Sequence, residues 1–258
     1  MSRSLPRVVV MDWGIGGVDT LQRLRTRAAA EWLYLSDSGQ PPYGLLTDEV
    51  LQERIRAVAA TFAPDLLVVA CNAASAALVP NLCDCRVAGV IEPGIALTLR
   101  QTEPGARVGL LGGRRTIEAG LHARALEAAG RLTRACIAQP LSAHVEAGRL
   151  AGPELEANLL PLVAQVADCD AVLLACTHYP ALLPRLTALL PSMRWLDPVE
   201  ELVAELAPDL PPLPEGVAPL APRMMTTGDP HQSERSAALA FGARLGFWEG
   251  VTLSRPPV

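Results

Sequence analysis

The chain has no uninterrupted apolar run of about 18 residues, the length a membrane-crossing helix needs, so no bilayer-spanning segment is expected. Its first apolar run, Val8 to Met11, is too short for the core of a signal peptide, which points to a cytoplasmic protein. Lys and Arg nowhere form a run and the net charge is −5, so the electrostatic footprint of a nucleic-acid binder is missing. Nucleotide motifs are missing too: Gly14, Gly16 and Gly17 lack the dinucleotide spacing, and no Lys-Ser/Thr follows them. Six cysteines without a secretion signal read as thiols and not as a disulfide framework. Charged residues make up only 19% against 50% hydrophobic, the balance of a substantial core; 258 residues suffice for one large domain or two smaller ones sharing a cleft.

What is present is a strand-like motif used twice. Leu66 to Ala70 is a short apolar run that ends at Cys71-Asn72 before small residues, and Ala171 to Ala175 is another that ends at Cys176-Thr177-His178. Ligands of open α/β sheets bind beyond the carboxyl ends of strands, so two such loops facing each other would place two thiols on one ligand. Around them strand and helix patterns alternate. Arg7 to Met11, Trp32 to Ser36 and Arg86 to Ile91 read as strands, with a helix capped by Thr47 that presents Val50, Leu51, Ile55, Val58 and Ala59. A second half opens with Arg107 to Leu111, Gly112-Gly113, and Thr116 as an N-cap. Strands at Thr133 to Ala138 and Arg194 to Leu196 and helices over Pro153 to Val166 and Tyr179 to Leu190 complete it. Six prolines between 208 and 222 mark a linker, after which Met224 to Thr227 is expected as the last strand and Asp229-Pro230 opens the last helix. The pattern predicts an α/β protein of two parallel-sheet domains related by internal duplication, residues 1–95 with 208–258 and residues 96–207.

A thiol removes a proton from carbon when its thiolate is accessible, and a helix N-terminus or a nearby cation makes it so. Two such groups on opposite faces of one stereocentre permit inversion, one taking the proton while the other donates. Cys71 and Cys176 both stand where a strand hands over to a helix; Cys83, Cys85, Cys136 and Cys169 do not and read as packing. Cys83-Asp84-Cys85 has only two thiols for a metal, a weak signal. Asp12 can orient a ligand ammonium or a thiol, or simply close the glycine turn, and Asp37 is similar. Glu146 can pair with His178, or both can be solvated surface groups.

Taken together, Asp12-x-Gly14-Ile15-Gly16-Gly17, Asp37 with Pro42-Tyr43-Gly44, Cys71-Asn72-x-Ala74-Ser75, Gly89 to Gly94, Thr116-Ile117, Val145-Glu146-x-Gly148 and Cys176-Thr177-His178-Tyr179-Pro180 resemble the cofactor-independent aspartate/glutamate racemase family, glutamate-specific members in particular, over nearly the whole chain. The resemblance implies two pseudo-symmetric domains with the substrate between them, a C-terminal segment returning to the first domain, no cofactor or metal, a homodimer, and D-glutamate supply for peptidoglycan. It also implies roles. Cys71 would take the α-proton of the D-isomer with help from Asp12, and Cys176 that of the L-isomer with help from Glu146 and His178. Tyr43, Gly44, Asn72, Thr116 and Thr177 would hold the substrate, with Asp37 in the same shell. At two positions of that shell the chain departs from the family, with Trp13 for Ser and Ala73 for Thr. The competing expectations are a related enzyme with another substrate, a one-cysteine decarboxylase, against which the second thiol argues, and a non-catalytic ligand-binding member.

Overall fold

A computed structural model describes residues 5–243 and 245–254. The first part runs β1 (Arg7–Asp12), α1 (Val18–Arg25), β2 (Glu31–Ser36), α2 (Asp48–Phe62), β3 (Leu66–Val69), α3 (Asn72–Ser75), β4 (Arg86–Gly89) and α4 (Ile91–Gln101). It continues with β5 (Arg107–Gly112), α5 (Arg114–Ala119), α6 (Leu121–Ala128), β6 (Leu132–Ile137), α7 (Gln139–Glu146), α8 (Pro153–Val166), β7 (Ala171–Ala175), α9 (Leu183–Leu189), β8 (Trp195–Leu196) and α10 (Pro198–Leu206). Last come β9 (Arg223–Thr226), α11 (Pro230–Phe241) and β10 (Trp248–Gly250).

The strands form two sheets, β10-β9-β2-β1-β3-β4 and β6-β5-β7-β8, in which every pairing between these strands is parallel. Within them β2-β1-β3-β4 and β6-β5-β7-β8 repeat one connectivity, so β3 and β7 hold equivalent places and the residues after them, Cys71 and Cys176, are structural counterparts. Side-chain alternation explains the burial. Val8, Val10, Trp32, Tyr34, Leu66 and Val68 face one side of the first sheet; Val9, Met11, Leu33, Leu35, Leu67 and Val69 face the other. Both sides are covered, as parallel sheets require, and for that reason these strands read as continuous apolar runs.

Several expectations are corrected. The strand expected over Arg86 to Ile91 ends at Gly89, and Ile91 with Glu92-Pro93-Gly94 forms the first turn of α4, where the missing proline N–H has no intrahelical partner to lose. The expected division at residue 95 therefore falls inside a helix, and that helix packs on α6, α10 and β7. Thr116 is not an N-cap; Gly113 holds that place, and Thr116 is buried inside α5. Thr47 does cap α2, accepting from the Val50 N–H at 3.4 Å, but Val50 itself is exposed and Ala57 takes the inward place. Tyr179–Leu182 is a 3-10 turn ahead of α9. Met224 to Thr227 is not the last strand, because β10 pairs with β9 and returns the C-terminal segment to the first sheet.

Gly94 lets α4 approach closely: a Cβ there would stand 3.3 Å from His122 Nε2 and 3.4 Å from the Pro198 Cβ. His122 is buried, and its Nε2 has no hydrogen-bond partner among the described residues. Desolvation lowers its pKa from 6.5 to about 4. Between those values the unfolded chain binds the proton and the folded one does not, so stability is full above 6.5 and falls as pH drops toward 4. His122→Leu is expected to flatten this part of the melting-temperature profile; an unchanged acid slope would assign the loss elsewhere.

Candidate active site

Asp12 at the end of β1, Cys71 after β3, Thr116 beyond β5 and Cys176-Thr177-His178 after β7 converge from the carboxyl ends of both sheets on one cavity of ≈ 150 Å³. Trp13, Tyr43, Gly44, Asn72 and Ala73 complete its expected lining. The glycine loop after β1 is built for this meeting. A Cβ on Gly14 would lie 1.9 Å from Glu146 Oε1, and one on Gly16 would lie 2.5 Å from Thr177 Oγ1, so only glycine admits the opposing domain this closely.

Glu146 and His178 are not solvated surface groups. His178 Nε2 and Glu146 Oε1 are 2.5 Å apart, Glu146 Oε1 also accepts from the Ile15 N–H at 2.8 Å, and His178 Nδ1 faces Cys176 Sγ at 3.6 Å. Burial would lower the pKa of His178, but its bonds to Cys176 and Glu146 outweigh that and hold it well above the usual imidazole value. Across the cavity Asp12 is fully buried and accepts from the Trp13 N–H and the Thr177 hydroxyl, each at 2.7 Å. Its pKa is raised by burial, against the pull of His178 and those two donors. Desolvation, and then the Asp12 charge, push the Cys71 thiol well above its ordinary range. The two thiols thus have unlike neighbours, a carboxylate beside Cys71 and an imidazolium beside Cys176.

Asn72 carries the clearest sign of a ligand. Its amide oxygen and nitrogen are both buried in the cavity wall without a partner among the described residues, a donor and an acceptor left for something bound there.

A family model for Asp/Glu/hydantoin racemases matches residues 40–206. The chain belongs to this family. Glutamate racemase from Stutzerimonas stutzeri is 34% identical over 91% of this chain and 94% of its own, and that from Gloeobacter violaceus is 31% identical over 88% and 89%. Among solved structures, glutamate racemase from Thermus thermophilus in complex with β-chloro-D-alanine superposes with a TM-score of 0.77 at 28% identity, covering 96% of this chain and 97% of that one. The Escherichia coli enzyme with L-glutamate and the activator UDP-MurNAc-ala gives 0.70 at 26%, over 97% and 99%.

The racemase fold does not bring every expected residue to the cavity. Asp37 is fully buried beneath it, with Arg54 on both oxygens at 2.7 and 2.8 Å, the Tyr43 hydroxyl at 2.7 Å and the Thr227 hydroxyl at 2.8 Å. Its acceptor positions are occupied, so it anchors Tyr43 in the wall and has none to offer a ligand. Trp13 does face the cavity, but its indole N–H is given to the Gln40 carbonyl at 2.9 Å, leaving only ring surface for a ligand. Cys83 and Cys85 line a separate open groove, where burial and the neighbouring thiol push Cys83 up to about 11. No cluster of three or more His, Cys, Asp or Glu able to hold a metal occurs among the described residues.

Sequence reasoning missed Arg115, Gln139, Ser142 and Ala143, which also line the cavity. Gln139 stands beyond β6 as Asp37 stands beyond β2, so the strand-end rule that singled out Asp37 would have found it. Arg115 directly precedes Thr116, but on a helix a one-residue step turns the side chain about 100° away, and nothing in its own chemistry distinguished it from its neighbour Arg114.

Proposed function

We propose that this racemase interconverts L- and D-glutamate with the two thiols as its acid and base. The observation that carries the reading is the pairing of structurally equivalent thiols, Cys71 and Cys176, on one cavity with opposite electrostatic neighbours. Cys71, raised by burial and Asp12, rests as a thiol and is the proton donor of the first turnover from L-glutamate. Cys176 acts as the base in that direction, with the His178 imidazolium beside the sulfur as it carries charge and Glu146 holding the ring. In the reverse direction Cys71 takes the α-proton and Cys176 returns one to the other face. Asn72, with Thr116 and the Thr177 hydroxyl once released from Asp12, supplies hydrogen bonds to the α-carboxylate and ammonium. A pyridoxal mechanism finds no attachment point, because the chain contains no lysine to form the Schiff base.

The domains of this proposal meet just before α4 and near residue 207; the packing of α4 against α6 and α10 supports the first of these positions. D-Glutamate supply for peptidoglycan, a cytoplasmic location and a homodimer are what the family resemblance implies and belong to the same proposal; no helix among the described residues is long and apolar enough to cross a membrane. The test is to follow loss of optical activity from L-glutamate, and separately from D-glutamate, without added cofactor or metal. Conversion in both directions, faster than for aspartate, is expected. Failure with glutamate alongside conversion of another amino acid would move the substrate assignment, and failure with every amino acid would favour a binding protein.

A further inference from the structure

Arg115 is the only Arg among the described residues lining the catalytic cavity, and it is held from the far side of the cleft. It projects from α5, next to the second sheet, yet all three of its acceptors lie in the segment between β2 and β4. Nη1–H donates to the Leu46 carbonyl at 2.5 Å, Nε–H to the Ala73 carbonyl at 3.4 Å, and the Nη2 group pairs with Asp48. The same side chain also walls an outer groove of ≈ 520 Å³ formed by Gly44, Leu46, Asp48, Ala76, Glu118 and Arg124. Arg115 is thus a shared boundary between groove and cavity. We infer that Arg115 is a latch across the mouth of the catalytic cavity, released to admit the substrate from the outer groove and re-formed over it.

The physical case rests on what must break. For α5 to draw away from the turn before α2 and from α3, these three bonds have to open together. They are suited to opening, because the Asp48 side chain is 58% exposed and such a rim pair holds only weakly. A dicarboxylate passing through the groove offers the guanidinium the same planar acceptor that Asp48 does, so release and substrate capture can be one exchange. Arg115 is a positioning residue on this account; it governs access to the thiols and does not transfer the proton. The inference rests on the cavity being the racemase site, but its test does not require turnover.

Peptide-resolved alkylation by iodoacetamide at fixed pH, in the natural chain, Arg115→Ala and Asp48→Ala, reads the latch directly. Cys71 and Cys176 should alkylate about fivefold faster in Arg115→Ala and by a smaller factor in Asp48→Ala, the scale of opening expected from a rim ion pair. Buried Cys136 and Cys169 should stay unreactive and so report whether the fold is intact. Loss of the positive charge alone would slow alkylation, since a nearby cation favours thiolate, so a purely electrostatic role has the opposite sign. If Arg115→Ala also exposes Cys136 and Cys169, Asp48→Ala decides. Unchanged or slower alkylation of the cleft thiols in the variants that keep the core thiols protected overturns the latch, whether or not glutamate proves to be the substrate.

Discussion

Cys71→Ala and Cys176→Ala are each expected to reduce glutamate racemisation by about 10²- to 10⁴-fold, the contribution a positioned acid or base makes to proton transfer. Neither change should unfold the chain, because each removes one sulfur from a partly buried position at a cavity wall and not from a sheet interior. The two losses should not add. Racemisation needs a proton removed on one face and delivered on the other, so the double variant should be little worse than either single one. Cys83→Ala and Cys85→Ala, in the separate groove, should leave the rate unchanged. Full activity in either cleft variant would remove the two-thiol mechanism; loss in the groove variants would show that the chemistry had been placed at the wrong thiols.

Trp13→Ser combined with Ala73→Thr is expected to raise glutamate turnover about tenfold or more. A hydrogen bond to a charged ligand group contributes about 1.5 to 3 kcal/mol, and 1.4 kcal/mol is already a factor of about ten, so regaining part of the two bonds suffices. The structure shows why these two positions give the wall no donor. The Trp13 indole N–H is committed to the Gln40 carbonyl, and Ala73 offers the cavity a methyl group. A ring face can attract an ammonium, by about 0.5 to 2 kcal/mol, but the indole also fills space that serine leaves open. Stability should move the other way, because Trp13 packs against the core on one side of the first sheet and serine leaves that contact empty. Steady-state kinetics and a melting curve on one preparation decide it. An unchanged rate in a natural chain that already turns glutamate over well would mean that the aromatic wall complements the substrate as it is.

Much of this architecture was legible because buried parallel strands leave continuous apolar runs: Val8 to Met11 and Leu66 to Val69 could hardly be anything else. Repetition made Cys71 and Cys176 visible as a pair, and the common connectivity of the two sheets is its physical origin. What could not be read were facts that arise only when the domains meet. Spacing alone favours solvated surface groups for Glu146 and His178; contact with the Ile15 N–H and with Cys176 draws them into a pair at the cavity wall instead. Asp37 and Asp12 looked alike as carboxylates after strands, and only the convergence of Arg54, Tyr43 and Thr227 separates the anchored one from the one in the cavity. Strand β10 was missed because Trp248–Gly250 is too short to show a period, and pairing with β9 alone identifies it.

Opposite-face proton transfer between Cys71 and Cys176 is tested most directly by the early isotopic composition of both enantiomers in deuterium oxide. Starting from unlabelled L-glutamate, the D-glutamate formed should carry deuterium at the α-carbon from the first turnovers, while the remaining L-glutamate stays protiated; the mirror result should hold from the D side. Transfer of the original α-hydrogen into the product, or early labelling of the unreacted enantiomer at the same rate as the product, would mean that a single base serves both faces and would contradict the two-thiol account.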